Sequence, residues 1–241
     1  MDSTFYNKKW KQWDDMIKYS PAPRHRRRIV INLINQYYKN RDSLYDIGCG
    51  NCFMLIEINK KYKDISLNGC DLADQVIEKN KEQYSNISFD VMDISSEINL
   101  TNQYDIITCC EVLEHVSDIN KALENLYNLL KPSGIAIITV PCGKIYPIDK
   151  SVGHLRHFTE LSMFEKLFKI KQIIKWGFPF FNLYNWAINL KPEAALYNIS
   201  SCKYSMSQKI ISNIIYLLFF FNLNIWGSQL FIVLQRIKNE T

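Results

Sequence analysis

The chain has 241 residues, of which 47% are hydrophobic and 22% are charged, and its formal net charge is +5. This length and this apolar fraction are enough to bury a sizeable core, so they exclude a disordered chain and favour one domain of ordinary size. The positive charge helps to attract phosphates or anionic lipids, but it is too small to indicate a dedicated nucleic-acid-binding protein.

Seven cysteines, an odd number, occur in a chain whose first residues are polar and aromatic, so we expect no signal peptide. Reduced thiols in the cytoplasm explain the cysteines most simply, and we expect a cytoplasmic protein. Cys49 and Cys52 form a CxxC pair, a spacing that also occurs in redox and zinc sites. Since no second CxxC or HxxxH completes a zinc set, we expect no metal site.

Residues 1–42 are predicted to form an N-terminal helical cap. The segment SPAPRHRRRIVINLINQYY predicts a helix opened by Pro23, with Ile29, Leu33 and Tyr37 on one side. The basic cluster at 24–28 is interpreted as a solvated helix face. The alternative is that part of it binds a phosphate or carboxylate of an acceptor.

Residues 43–143 alternate short apolar runs with amphipathic stretches, which is typical of a parallel sheet covered by helices on both faces. The predicted strands span 44–47, 65–71, 87–93, 104–111 and 134–141. The predicted helices span 51–62, 74–84 and 118–130. We therefore expect an α/β fold whose cofactor-binding core is residues 43–143.

Residues 144–241 are expected to form the acceptor-side half of the same single domain. The pattern predicts a helix over 159–168 capped by Thr159, a strand over 169–176, and a last strand over 230–237. An aromatic and apolar insertion, about 178–226, separates the last two strands.

The insertion raises the question of a membrane, because residues 210–235 include no charged residue. Its core apolar run is only about a dozen residues long, whereas spanning needs about 20. We expect a helix that packs on the domain as a lid or wall of an acceptor pocket. The alternative is a surface that docks peripherally on a bilayer or on a partner subunit.

The sequence YDIGCGNC places a glycine turn, residues 48–50, between the first predicted strand and the next helix. Glycines there let the backbone turn sharply and approach a ligand. Asp46, Asp71 and Asp93 stand at the ends of three strands, where open parallel sheets bind ligands. Asp71 has the spacing of an acid that accepts hydrogen bonds from ribose hydroxyls. Because Asp46 adjoins the turn, a cationic ligand fits better than a dinucleotide.

Five segments carry a resemblance: LYDIGCGNCFMLIEI, LNGCDLADQVIEKNK, FDVMDIS, YDIITCCEVLEHVSD and LLKPSGIAIITVPCGK. In order and spacing they resemble the motif series of class I S-adenosylmethionine-dependent methyltransferases, in particular the subgroup that includes ubiquinone-pathway O-methyltransferases. The resemblance implies a Rossmann-like sheet of seven strands with an antiparallel last strand. It also implies S-adenosylmethionine as cofactor and S-adenosylhomocysteine as product.

The resemblance further implies which residues bind the cofactor. They are Asp46, Gly48, Cys49 and Gly50 near the methionine moiety, Asp71 and Leu72 at the ribose, Asp93 and Ile94 around adenine, and Glu111 at the sulfonium end. Cys52 stands where the family usually has a third glycine. The alternative is that these acids only cap strand ends.

A hydroxyl acceptor needs a general base, and histidines near the carboxyl edge of the sheet are the candidates. The segment GHLRHFTELSM, 153–163, resembles a Gly-His-x-Arg-His/Tyr-x-Thr/Ser stretch of the same subgroup. We assign His154 as the first candidate for the base, with Arg156 orienting the acceptor and His157 beside them. His115, in EVLEHV, is either catalytic or a structural histidine, and the 153–163 segment is alternatively only a helix cap.

The sequence thus predicts a methyltransferase of small-molecule biosynthesis that methylates a hydroxyl group of a small acceptor. The acceptor is either a free small molecule or one linked to a lipid or a glycan. We expect no required metal. Transfer to nitrogen or carbon is one alternative. A methyltransferase-fold interaction protein with a lapsed cofactor site is another. No Asn-Pro-Pro-Tyr or Asp-Pro-Pro-Tyr element follows the fourth predicted strand, so we expect no nucleic-acid partner.

Overall fold

A seven-stranded sheet forms the centre of the computed structural model, which describes residues 2–98, 101–199 and 203–237. The strands are β1 Ser43–Ile47, β2 Ser66–Asp71, β3 Ser88–Val91, β4 Tyr104–Cys110, β5 Leu130–Pro141, β6 Phe168–Trp176 and β7 Gln229–Arg236. Their order is β3-β2-β1-β4-β5-β7-β6. The pairs among β1 to β5 are parallel, and β7 runs antiparallel to both β5 and β6. The predicted fold, including the antiparallel last strand, is confirmed.

Helices flank this sheet. They are α1 Ser3–Gln12, α2 Asp14–Tyr19, α3 Pro21–Tyr37, α4 Phe53–Lys61, α5 Asp74–Gln83, α6 Ile119–Leu129, α7 Pro147–Val152, α8 Ser162–Glu165, α9 Phe180–Ile188, α10 Pro192–Ile199 and α11 Met206–Leu218, which continues into a 3₁₀ turn, Phe219–Phe221. Successive strand residues point to opposite faces, so Ile106 joins one buried cluster and Ile107 the other. Both faces of the sheet are therefore covered, as predicted.

Strand register brings the carboxyl ends of three strands to one edge. Ile47, the last residue of β1, pairs with Cys70 of β2 and with Cys109 of β4. The glycine turn that follows β1, the acid that ends β2 and the residue after β4 are thereby neighbours. This edge carries the candidate site.

The basic cluster on α3 is not a solvated face, so that interpretation is wrong. His25 is fully buried, and its ring stacks on Trp176 with the centroids 5.6 Å apart. Arg27 pairs with Glu57, and its Nη1 donates to the backbone oxygen of Ile17 at 2.7 Å. The cluster faces inward because α3 packs between the sheet and α11.

The helix predicted over 159–168 is much shorter, since α8 begins at Ser162 and Thr159 does not cap it. The preceding segment crosses other elements with its backbone donors engaged. The N–H of Leu155 donates to Glu114 at 2.8 Å, and that of Phe158 donates to Pro141 at 2.9 Å. These two bonds tie residues 155–158 to other loops, and the helix begins only at Ser162.

The apolar insertion folds into α9, α10 and α11. Phe219 is buried against Trp176 and Phe181, and α11 lies on α3. None of the helices in the described ranges combines the length and the apolar character that a bilayer crossing requires.

Candidate active site

A cavity of about 460 Å³ opens at the carboxyl edge of the sheet. One wall is the ends of β1, β2 and β4 with the loops that follow them. The opposite wall is formed by α1, α2 and α3, which contribute Tyr6, Trp10, Trp13 and Arg26. The N-terminal cap therefore covers the glycine turn.

The glycine turn adopts backbone conformations that favour glycine. Gly48 has φ 73° and Gly50 has φ 48°, and a Cβ on either would collide with Val112 or with the Trp10 ring, respectively. Cys52 also has φ 50°, and its side chain is completely buried as the N-cap of α4. The departure from a third glycine is thus accommodated by backbone strain in addition to close packing.

Asp71, at the end of β2, holds the glycine turn in place. Its carboxylate accepts hydrogen bonds from the N–H groups of Gly50 and Ala73, each at 2.9 Å. Burial raises the pKa of Asp71, and the bonds from these N–H groups act in the opposite direction. Asp71 and Leu72 both line the cavity.

Asp46 lies deeper, at the floor of the cavity. It is buried, and its Oδ1 accepts a hydrogen bond from the Thr108 hydroxyl at 2.7 Å. Burial raises the pKa of Asp46 to about 7 although the Thr108 bond opposes this. A cation entering the cavity would favour the ionised carboxylate.

Asp93 stands one strand further along the edge. Its Oδ1 accepts from the N–H and the hydroxyl of Ser95, at 2.8 and 2.7 Å. Asp93 and Ile94 line the cavity together. The three strand-end aspartates are thus spread along one rim, as the sequence predicts.

Glu111 follows β4 with φ 57°, an uncommon conformation for a residue other than glycine. Arg26 lies 2.6 Å from its Oε2, while Thr139 and Gln229 donate to its Oε1 at 2.9 and 2.8 Å. These contacts fix the carboxylate at the cavity wall.

His154 also lines the cavity, and a second imidazole lies behind it. His154 Nδ1 and His157 Nε2 share a hydrogen bond of 3.0 Å, and the Asp149 carboxylate lies 3.5 Å from the same His157 nitrogen. Burial, together with the nearby His115 and His157, lowers the pKa of His154 to about 3. His154 is therefore neutral at physiological pH.

Comparison with known proteins agrees with this geometry. Residues 45–136 match the model of a methyltransferase domain family. That segment contains all four cavity carboxylates described above: Asp46, Asp71, Asp93 and Glu111. The matched segment is that of a class I S-adenosylmethionine-dependent methyltransferase.

Curated relatives of this chain are similar over part of their length. A ubiquinone biosynthesis O-methyltransferase of Coxiella burnetii is 36% identical over 93 residues, which are 37% of this chain and 39% of the relative. One from Rickettsia bellii is 30% identical over 115 residues, 46% of this chain and 47% of the relative. The matched part thus spans less than half of these proteins.

Solved methyltransferases share the fold at low sequence identity. The N-methyltransferase NodS from Bradyrhizobium japonicum, in complex with S-adenosylhomocysteine, superposes with a TM-score of 0.64 at 13% identity, covering 99% of this chain and 100% of that one. Phosphoethanolamine N-methyltransferase 2 of Haemonchus contortus, in complex with S-adenosylmethionine, gives 0.63 at 16% identity, covering 96% and 57%. At such identity the likeness establishes the fold.

Two of the predicted catalytic residues do not line the cavity. Arg156 donates to the backbone oxygen of Ser117 at 3.2 Å and lies outside the cavity lining, so its role in orienting an acceptor stays a prediction. His157 lies behind His154 and can act only through it.

The insertion is not the main wall of the cavity, which corrects the expected lid. Leu196 of α10 reaches the lining, whereas the described residues of α11 do not. Aromatic residues of α1 and the Trp13 that follows it take that place instead. Tyr6, Trp10 and Trp13 recur at helical spacing in FYNKKWKQW, a signal that could have located this wall from the sequence.

A buried acid beside His154 was also missed. Neither carboxylate oxygen of Glu114 has a hydrogen-bond partner in the described ranges, and burial raises its pKa well above the usual value. Glu114, His115 and His154 are close enough to ligate one metal ion, and so are Asp149, His154 and His157. Burial lowers the pKa of His115, which lines the cavity. The expected absence of a metal stays a prediction.

Proposed function

We propose that the chain transfers a methyl group from S-adenosylmethionine to a hydroxyl group of a small acceptor with an apolar or aromatic body. The observation that carries this proposal is the position of His154. Its imidazole lines the same cavity as the strand-end carboxylates and is backed by His157 and Asp149. A neutral histidine at that place can accept a proton from an acceptor.

The residues of the cavity fit the cofactor chemically. Asp71 and Asp93 offer acceptor oxygens of the kind that ribose hydroxyls and an exocyclic amine require, and Asp46 and Glu111 offer negative charge. S-adenosylmethionine, when bound, supplies an electrophilic methyl group on a positively charged sulfur. Asp46 and Glu111 would favour that charge, while the turn held by Asp71 would position the cofactor against the acceptor.

His154 would accept the proton of the acceptor hydroxyl. As the acceptor oxygen becomes bonded to the methyl carbon, its proton passes to the imidazole, and the electron pair of the broken carbon–sulfur bond stays on sulfur. The Asp149 carboxylate, which lies close to both imidazoles, would stabilise the resulting positive charge. Because the pKa of His154 is lowered to about 3, this support matters most for weakly acidic hydroxyls.

The class of acceptor follows from the cap side of the cavity. Tyr6, Trp13, Met16 and Ile17 present aromatic and apolar surface there. Apolar pockets with a few polar groups bind small organic molecules. The relatives named as ubiquinone biosynthesis O-methyltransferases support an oxygen acceptor of this kind.

A nitrogen acceptor is the second candidate, and the low pKa of His154 is the observation that favours it. An amine that is already neutral attacks without a strong base, so a weakly basic histidine is enough. The two acceptors differ in how strongly turnover depends on His154.

The test measures S-adenosylhomocysteine formation with phenols of graded acidity and with aromatic amines, using the wild type and His154→Ala. We expect a loss of about 10²- to 10⁴-fold in kcat for hydroxyl acceptors, largest for the least acidic phenol. Ser151→Ala, an exposed residue of the neighbouring α7, is the control and should keep wild-type turnover. Unchanged turnover of phenols by His154→Ala would refute the base, and turnover of amines alone would favour the second candidate.

The same assay tests whether turnover depends on a metal ion. Chelation followed by addition of Mg²⁺ or Zn²⁺ tells whether the groups around His154 bind an ion. Loss and recovery of turnover would reassign His154 from general base to metal ligand.

A further inference from the structure

The insertion carries most of the large apolar side chains that the described residues expose to solvent. On α11 and the 3₁₀ turn these side chains recur at helical spacing. They are Ile210, Ile211, Ile214, Leu217, Leu218 and Phe221, and we call them the α11 stripe. At 100° per residue they lie on about one third of the helix circumference. Leu217 is 62% exposed and Phe221 is 72% exposed.

The opposite side of α11 is fixed to the domain. Ser212 and Phe219 are buried there, and the Phe219 ring packs on Tyr184 with the centroids 5.7 Å apart. Arg24 of α3 donates to Asn213 at 2.8 Å. The helix is thus held with its apolar stripe facing outward, and a contiguous apolar surface of this kind marks a docking site.

Three basic side chains, which we call the basic border, lie on α11 and on elements beside the insertion. Arg28 lies 4.4 Å from the Phe220 ring centroid, and Lys209 of α11 lies 4.4 Å from the Tyr19 ring centroid. Lys175 of β6 pairs through its backbone with the segment at Ile225. None of these three cations forms an ion pair with a carboxylate within the described ranges. The sequence from 194 to 235 includes no Asp or Glu.

We propose that the α11 stripe and its basic border dock on the surface of a bilayer that contains anionic lipids. An apolar face with Lys and Arg beside it is the pattern of helices that lie in a membrane interface. Basic residues near an anionic leaflet add attraction. Trp226, 57% exposed and stacked on Phe178, supplies the aromatic side chain that membrane interfaces favour.

The same charges argue against a second copy as the occupant. A twofold dimer joins identical patches, so it would bring the basic border of one copy near that of its partner. Like charges brought together oppose such an association, whereas an anionic bilayer attracts them. This docking is independent of the proposed reaction, because the described residues of α11 do not line the cavity.

The experiment is flotation of the full chain with vesicles of phosphatidylglycerol and phosphatidylcholine, and with vesicles of phosphatidylcholine alone. We expect wild-type protein to float with the anionic vesicles. The double variant Leu217→Ser, Phe221→Ser should lower the partition constant at least tenfold. Val91→Ser, which removes a half-exposed apolar side chain from β3, is the control and should bind like the wild type.

A second pair of variants tests the basic border. Lys175→Glu with Lys209→Glu should weaken binding to anionic vesicles at least tenfold. Lys60→Glu with Lys61→Glu makes the same change of charge on exposed residues of α4 and should weaken it much less. Thermal unfolding of each variant confirms that it is folded.

Three outcomes would overturn the proposal. Wild-type protein that stays unbound with anionic vesicles is the first, and equal binding by folded Leu217→Ser, Phe221→Ser protein is the second. The third is a lipid-free dimer, seen by sedimentation equilibrium, that this double variant abolishes. It would make the α11 stripe an interface between two copies.

Discussion

The guanidinium of Arg26 lies 2.6 Å from the carboxylate of Glu111, joining the N-terminal cap to the residue that follows β4. Both side chains are about one-fifth exposed, so the pair is shielded from water more than a surface pair. This ion pair closes one side of the cavity and holds Glu111, whose backbone φ of 57° is strained, in place.

Removing the guanidinium tests this link. Arg26→Met should lower the free energy of unfolding by about 1–3 kcal/mol, since Glu111 would keep its charge with weaker compensation. Lys131→Met, which breaks the more exposed pair with Asp105, should cost less than about 1 kcal/mol. Chemical denaturation measures both, and equal losses would show that the Arg26 pair behaves as an ordinary surface pair.

Cys52 gives a prediction about backbone strain. Both Cys52→Ala and Cys52→Gly remove the buried thiol, but only glycine adopts φ 50° without strain. We expect the glycine variant to be more stable than the alanine variant by about 1–2 kcal/mol.

A helical position provides the control for Cys52. At exposed Ala187 in α9 the change to glycine should destabilise by about 1 kcal/mol. If Cys52→Gly were also less stable than Cys52→Ala, the strain at this position would be disproved.

Asp46 predicts a pH dependence of stability. Its pKa is raised by burial to about 7 in the folded chain from a usual value of 3.8, so the folded state binds the proton more tightly. This contribution is complete below about pH 4 and is lost as the pH rises toward 7. Relative to Asp46→Asn, the wild type should lose roughly 2–4 kcal/mol between pH 4 and pH 7. A constant difference between the two proteins would contradict the raised pKa.

The same residue predicts proton release on cofactor binding. A cationic group near Asp46 binds best to the ionised carboxylate, so the affinity for S-adenosylmethionine should fall as the pH drops below 7, by up to about tenfold per pH unit. Calorimetry in two buffers of different ionisation enthalpy measures the released proton. Asp46→Asn should bind without that release, and an identical release by this variant would assign the proton to another group.

The strand-end acids were predictable from sequence, and the covering of the site was not. Asp46, Asp71 and Asp93 follow short apolar runs, and local patterning together with parallel pairing places them on one rim. The contact of Trp10 with the glycine turn joins residues about 40 positions apart. Such packing depends on the tertiary fold. The sequence alone shows an aromatic stripe on a helix, but not the surface against which that stripe packs.

The histidine segment shows the same limit. GHLRHFTELSM identifies His154, but the predicted cap at Thr159 depended on a helix beginning there, and α8 begins at Ser162. Backbone bonds to Glu114 and Pro141 keep that segment extended. Those partners lie on other loops, so no local propensity could indicate them, and the carboxylate of Asp149 beside His157 was missed for the same reason.

The most direct test of the central claim is a calorimetric titration with S-adenosylmethionine of the wild type, Asp71→Asn and Asp90→Asn. Asp90 is a carboxylate on the neighbouring β3 that accepts from the Tyr45 hydroxyl and lies outside the cavity lining. We expect micromolar binding by the wild type and by Asp90→Asn, and binding at least tenfold weaker by Asp71→Asn. A folded wild type that binds neither S-adenosylmethionine nor S-adenosylhomocysteine would contradict the account and favour an interaction protein with a lapsed site.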